Sequence, residues 1–225
     1  MATARVKAAR YTTPKGTFVY PYLTRPDYGR GNFANTAGIY KVNLRMTLEE
    51  AEPLLKVLQP LYDQTLADGE ASFANLDIKA RKKMGKITPT PLYEEEYDTE
   101  TEQPTGEITF KFATKASGVN QKGEAWTRTI PLFTPAGKTY KPSMVGGGTI
   151  GKVTYEVSPY FIPASGVTGV KLYLVAAQIL ELSEGSSGTS SQYGFAKEEG
   201  YEEPEEEEST TDSDDDDSGT DDDNF

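Results

Sequence analysis

The stretch from Lys197 to Phe225 cannot contribute to a packed core, so the rest of the chain must fold without it. It holds one basic residue, Lys197, and sixteen acidic ones between Glu198 and Asp223. Two runs are undiluted, Glu205 to Glu208 and Asp214 to Asp217, and the only aromatics are Tyr201 and the final Phe225. With so little apolar surface, ordering this segment costs more conformational entropy than burial can return. The sequence therefore predicts a disordered acidic tail over 184–225 and one folded domain over 17–183. Ahead of the domain, 1–16 reads as a flexible basic arm carrying Arg5, Lys7, Arg10 and Lys15. An acidic tail can serve solubility alone. Here the charge is confined to one end and closes on an aromatic residue, which points to recognition as well.

Charge divides the chain in the same way. There are 23 Lys+Arg and 35 Asp+Glu, a net charge of -12, but 17 of the acids and only one base lie from Glu184 onward. Residues 1–183 thus carry 22 bases and 18 acids. Seven of those acids (Glu94, Glu95, Glu96, Asp98, Glu100, Glu102 and Glu107) crowd into one stretch, leaving the remaining domain basic. A basic domain joined to an acidic tail implies a polyanion-binding surface with a competitor in the same chain. The absence of cysteine excludes disulfides and thiolate chemistry, and the absence of histidine removes the usual general base and metal ligand. Acids outside the tail and the acidic stretch are sparse, and Glu49, Glu50 and Glu52 read as the solvated start of a helix. The expectation is a non-enzyme with no cofactor and no metal. No run approaches the roughly 20 apolar residues of a membrane span, and the basic N-terminus lacks an apolar core. A soluble intracellular protein without a membrane partner is expected.

Periodicity predicts a mainly β domain. Phe18 to Leu23 reads as an edge strand because Pro21 cannot donate to a central ladder. Gly38 to Met46 alternates, with Tyr40, Val42, Leu44 and Met46 on one face and Ile39, Lys41, Asn43 and Arg45 on the other. Thr47 and Glu50 form a capping box ahead of helical-period apolar residues from Leu48 to Leu66. Pro53 and Pro60 should kink or split that helix and Gly69 should end it. Lys79, Arg81, Lys82, Lys83 and Lys86 then form a basic cluster, followed by an acidic loop from Tyr93 to Gly106. Four more strands are expected: Glu107 to Lys115, Trp126 to Phe133, Ile150 to Ser158, and Val170 to Leu182. Five or six strands with one inserted α-helix suggest a small five-stranded barrel of the OB kind.

Two motifs imitate known sites and fail on context. Gly146 to Lys152 has the spacing of a phosphate-binding loop, but Val153 stands where Ser or Thr must hold Mg²⁺, and the following residues alternate like a strand. Asp214, Asp216 and Gly219 imitate half a calcium loop, but its bidentate Glu is replaced by Phe225. What remains is a basic strand surface with aromatics beside it. Single-stranded nucleic acid is held by Lys and Arg on its phosphates and by aromatic faces that stack its bases. Lys41, Arg45, Lys111, Lys115, Arg128 and Lys152 alternate with core positions and could share an outer face. Tyr28, Phe33, Tyr160 and Phe161 lie in expected loops, with Arg25 and Arg30 beside the first two. For each aromatic the competing reading is ordinary packing, and for each lysine a solvated face.

An ordered set of short matches carries a resemblance. Tyr20-Pro21-Tyr22, Arg25-Pro26-Asp27-Tyr28-Gly29, Gly38-Ile39-Tyr40-Lys41-Val42, Thr109-Phe110-Lys111-Phe112, Gly146-Gly147-Gly148, Ser158-Pro159-Tyr160 and Val170-Lys171-Leu172 occur in that order. With the acidic tail ending in Phe225, they resemble the single-stranded-DNA-binding proteins of T-seven-like bacteriophages. The resemblance implies an OB fold, a homodimer, a role in phage DNA replication and recombination, and a place in the cytoplasm of the infected bacterial cell. It implies that the end of the tail, Asp221, Asp222, Asp223, Asn224 and Phe225, docks on the phage DNA polymerase and primase-helicase. It also implies that the tail competes with DNA for the cleft, and that Tyr160 stands near DNA. The alternative reading is a protein-interaction platform whose acidic tail mimics DNA, without preference for single strands.

Overall fold

The computed structural model describes residues 9–183, so the expectations for the tail, including Asp221 to Phe225, lie outside the described residues. The alternating stretch after Gly38 forms strand β3 (Ile39–Thr47), following β1 (Arg10–Thr12) and β2 (Gly16–Asp27). Tyr40, Val42, Leu44 and Met46 of β3 are buried, and Ile39, Lys41, Asn43 and Arg45 are half-buried on the other side. Beyond the helical region come β4 (Thr88–Pro89), β5 (Glu94–Tyr97) and β6 (Pro104–Lys115). β6 runs antiparallel to β3 with Val42 opposite Phe112, Leu44 opposite Phe110 and Met46 opposite Ile108, so one face of both strands enters the core. The short β7 (Ser117–Val119), β8 (Ala125–Thr127), β9 (Leu132–Phe133) and β10 (Thr139–Tyr140) precede the long β11 (Ile150–Ile162) and β12 (Val167–Glu181). β11 and β12 form a hairpin whose Val153, Tyr155, Leu172 and Leu174 are buried with Phe18. Burial of such side chains contributes roughly 1.5–3 kcal/mol each.

The long strands pair in the order β11, β2, β3, β6, β12, and β11 is also hydrogen-bonded to β12. Each of these five strands therefore has a neighbour on both sides. β2 is not the edge strand predicted from Pro21. It lies between β11 and β3, and Pro21 falls in an irregular stretch where the register shifts between Val19 and Tyr22, so its missing N–H interrupts no regular ladder. Nor are all of residues 1–16 a free arm: Arg10–Thr12 pairs with β11, and Arg10 binds Glu156 at 2.9 Å.

Two helices are inserted rather than one: α1 (Glu52–Ala74) and α2 (Ile78–Met84). The capping box is formed, with Thr47 Oγ1 accepting from the Glu50 N–H and the Glu50 carboxylate accepting from the Thr47 N–H, but it closes a turn before the helix. Pro53 stands in the first turn of α1, where its missing donor costs nothing. Pro60 is inside the helix at an exposed position and does not split it. Gly69 does not end it. It is buried against β12, where a Cβ would come 2.7 Å from Thr168 Oγ1, so glycine serves close approach. α2 begins at Asp77, whose side chain accepts from the Ala80 N–H, and stops at Gly85 with φ +79°. The expected strand from Trp126 to Phe133 divides into β8, which pairs with β7, and β9, which pairs parallel with β12; Pro131 between them cannot donate.

A candidate nucleic-acid interface on the outer sheet face

The β2–β3–β6 ladder assembles the basic face residue by residue. Lys41 is opposite Tyr22 on β2 and Ala113 on β6, Asn43 is opposite Lys111, Arg45 is opposite Thr109, and Ile39 is opposite Lys115. Lys41, Arg45, Lys111 and Lys115 thus share one outward face, as their spacing predicts. Three of them already hold carboxylates. Lys111 pairs with Glu94 of β5, and Lys41 pairs with Asp27 at 2.6 Å while its Nζ stands 4.9 Å from the Tyr22 ring centroid. Arg45 Nε lies 3.5 Å from a Glu107 oxygen and makes no hydrogen bond, so Glu107 supplies charge but no directed bond. The Lys41 hydrogen bond, reinforced by the Gly29 N–H, holds the Asp27 carboxyl below its ordinary range. These half-exposed pairs are worth roughly 0–1 kcal/mol each, weak enough for phosphate to replace them.

The acidic stretch places Glu94 there. Rather than an open loop, β5 pairs with β6, with Glu94 opposite Thr109 and Thr109 Oγ1 donating to Glu96 at 2.6 Å. Glutamate has low strand propensity, so this segment is carried by its tertiary partners.

Between the outward side of β6 and the β11–β12 hairpin lies a groove of about 570 Å³. Thr109, Lys111 and Ala113 form one side, Tyr160, Ile162, Val167 and Lys171 the other, with residues 90–94 along the wall. Tyr160 is half-buried, and its hydroxyl donates to Thr90 Oγ1 at 2.7 Å. The Thr90 carbonyl accepts from the Tyr62 hydroxyl of α1 at 2.9 Å, so the helix fixes the groove's aromatic through one threonine. Burial, then the neighbouring Tyr160, pushes the Tyr62 phenol up, keeping it a neutral donor. Thr168 Oγ1 donates to the Tyr160 carbonyl at 3.1 Å.

The remaining predicted residues fall in other places. Arg25, Tyr28, Arg30 and Phe33 are exposed in and beside the β2–β3 connection, Phe33 at 87%. That connection begins where Asp27 faces Ile39, whose other neighbour is Lys115, so it borders one end of the basic face. Phe161 does not line the groove with Tyr160, because alternation along β11 turns it to the other side; Ile162 lines it instead. Arg128 is not on the outer face. Its guanidinium binds Thr114 Oγ1, which belongs to the buried side of β6, and lies 5.4 Å from the Trp126 ring. Lys152 is on β11 opposite Gln178, and β11 adjoins neither β3 nor β6, so it stands apart from the four shared cations.

Sequence reasoning missed two neighbours of the site and one residue of unusual backbone on β2. Tyr22 passed as a strand residue, although an aromatic two places before the polar loop was a candidate for the outer face. Lys171 is hidden in an apolar run, although it is the one basic residue inside it. Tyr20 is 74% exposed with φ +49°, a conformation uncommon for a residue with a side chain. The adjoining Pro21 signalled the irregularity.

A basic sheet face cut by a groove that holds a fixed aromatic defines a β-sheet protein built to receive a flexible polyanion with planar groups. Comparison with known proteins narrows the class. The profile of the family described as single-stranded DNA-binding protein, bacteriophage T7, matches residues 16–182, and the chain belongs to that family. It is 31% identical over 207 residues to the single-stranded DNA-binding protein of Enterobacteria phage T3, covering 88% of this chain and 86% of that one. It is 30% identical over 201 residues to the corresponding protein of Escherichia phage T7, covering 85% and 84%. The crystal structure of gp2.5, a single-stranded DNA-binding protein encoded by bacteriophage T7, matches with a TM-score of 0.60 at 27% identity, covering 77% of this chain and 92% of that one. The family is one of binding proteins, in keeping with a chain read as a non-enzyme.

Proposed function

We propose that this protein binds single-stranded DNA without sequence preference and serves phage DNA replication and recombination in the cytoplasm of the infected cell. The observation that carries the reading is the groove in which Lys111 and Tyr160 face the same space. One neutralises a phosphate and the other offers a face to a base, and the two together select a flexible single strand over a duplex whose bases are already stacked. Lys41, Arg45 and Lys115 continue the phosphate track along the sheet. The ring of pairings among β2, β3, β6, β12 and β11 is consistent with an OB-type barrel, the fold that this mode of binding commonly uses.

The acidic tail competes for the same face in this reading. Three of its cations already accept carboxylates, from Glu94, Asp27 and Glu107, so the face suits a polyglutamate or polyaspartate run as well as phosphate. The end of the tail, Asp221 to Phe225, recruits the phage DNA polymerase and primase-helicase, with the terminal ring as anchor. The protein acts as a homodimer. The experiment is a salt titration of oligo-dT and of duplex DNA. Preferential binding of oligo-dT, with log K falling linearly against log salt by about 0.7 per phosphate, supports the reading. Equal affinity for both would leave only the interaction platform.

A further inference from the structure

The strongest unassigned charge on the described surface is α2 and its flank. Lys79, Lys82, Lys83 and Lys86 are exposed, and none of them forms an ion pair among the described residues. In that they differ from Lys41, Arg45 and Lys111, each of which already has a carboxylate. Lys79, Lys82 and Lys83 share one helix face, at spacings of three and four residues, where like charges repel and destabilise a helix. A run of phosphates relieves that repulsion.

Position connects the patch to the groove. Gly166 is at the tip of the β11–β12 hairpin, and a Cβ there would come 2.6 Å from Met84 Sδ and 3.1 Å from the Lys86 carbonyl oxygen. The Thr88 N–H donates to the Gly166 carbonyl at 2.9 Å, and β4 then pairs with β12 at Val167 and Thr168. The last turn of α2 is therefore pinned to the hairpin tip, beside Ile162 and Val167, which line the groove. From there the chain runs directly into residues 90–94, the groove wall.

We infer that α2 and Lys86 form an outer segment of the DNA track, binding backbone phosphates of the nucleotides that leave the groove past the β11–β12 tip. This rests on the single-stranded-DNA reading and extends its path. The seven-residue helix is about 10 Å long, enough to follow the strand beyond a single phosphate. The groove supplies stacking and α2 supplies charge alone, so the patch adds affinity without base preference.

The test is a full-length variant carrying Lys79→Gln, Lys82→Gln and Lys83→Gln, titrated with oligo-dT of increasing length over a salt series. Tyr160→Ala serves in parallel, and a thermal melt reports folding. Oligonucleotides long enough to pass the hairpin tip should bind the triple variant more weakly, with a salt slope lower by about 0.7 for each phosphate no longer neutralised. The gain in affinity with length should saturate at a shorter oligonucleotide. If the triple variant keeps the wild-type slope and length dependence while Tyr160→Ala weakens binding, the inference fails and the groove reading stands. If affinity shifts by the same factor at every length, α2 holds the acidic tail rather than DNA, and the inference is likewise overturned. If wild-type protein does not prefer oligo-dT to duplex, the underlying reading fails first.

Discussion

At the scale of single residues, carboxylates and phosphates compete for the same cations under the proposed function. Glu94 sits on Lys111 inside the groove, so a phosphate bound at Lys111 would have to displace it. Replacing it by Gln removes the competitor while keeping the size of the side chain. Since half-exposed pairs are worth about 0.2–1 kcal/mol, Glu94→Gln should tighten oligo-dT binding up to about fivefold, as read by equilibrium titration at fixed salt. Unchanged or weaker binding would mean that Glu94 supports the groove more than it blocks it. Asp27 is the second case. Its carboxyl is held below the ordinary range by the Lys41 hydrogen bond first and the Gly29 N–H second. A depressed carboxyl contributes stability that is present above its unfolded value, about 3.9, and lost as pH falls through the lower folded one. Asp27→Asn should therefore be less stable than wild type at pH 7, and the two melting curves should converge as pH drops below about 4. Curves separated by the same amount at every pH would show that the charge of Asp27 contributes nothing.

At the scale of elements, what was legible depended on whether the local pattern or a distant partner decides the structure. β3 was fully legible because every second residue is apolar, and the same alternation placed Lys41 and Arg45 outward. α2 was not, because its Lys-rich run has too few apolar residues to show a helical period; only Asp77 and Gly85, its two caps, marked the ends. β5 has the local character of a loop because its glutamates lack strand propensity, and its pairing depends on Lys111 and Thr109 on the neighbouring β6. Arg128 departs from the expected strand because it follows the end of β8, where its N–H bonds the Ala116 carbonyl and its side chain reaches Thr114. Gly69 shows the same limit inside a helix. Read locally it ends α1, whereas its lack of a side chain lets α1 approach Thr168, which is fully buried on β12. Alanine at this position gains about 1 kcal/mol of helix propensity but brings a Cβ within 2.7 Å of the buried Thr168 hydroxyl, an overpacking that costs roughly 1–3 kcal/mol. Gly69→Ala should lower the thermal midpoint. It should also loosen oligo-dT binding, because Thr168 bonds the Tyr160 carbonyl. A raised midpoint would show that the helix moves aside freely.

At the scale of the whole molecule, a basic face and an acidic tail belong to one chain, and the sequence alone shows the asymmetry of charge between them. Charge by itself selects poorly among partners when screening acts over about 8 Å, whereas a terminal aromatic can be rewarded only by a matching pocket. Removing Phe225 alone should leave DNA affinity nearly intact and weaken association with the phage polymerase or helicase in a pull-down. Deleting 198–225 should abolish that association and, if the tail competes for the face as proposed, tighten DNA binding by removing its 16 negative charges. Unchanged DNA affinity after the full deletion would rule out competition by the tail. Whether one groove joins a phosphate contact to a stacking contact is decided by titrating oligo-dT with Lys111→Ala and Tyr160→Ala across a salt series. Lys111→Ala should lower the salt slope by about 0.7. Tyr160→Ala should weaken binding by about 1–3 kcal/mol at an unchanged slope. Wild-type slope and affinity in both variants would place the DNA elsewhere and contradict a shared groove.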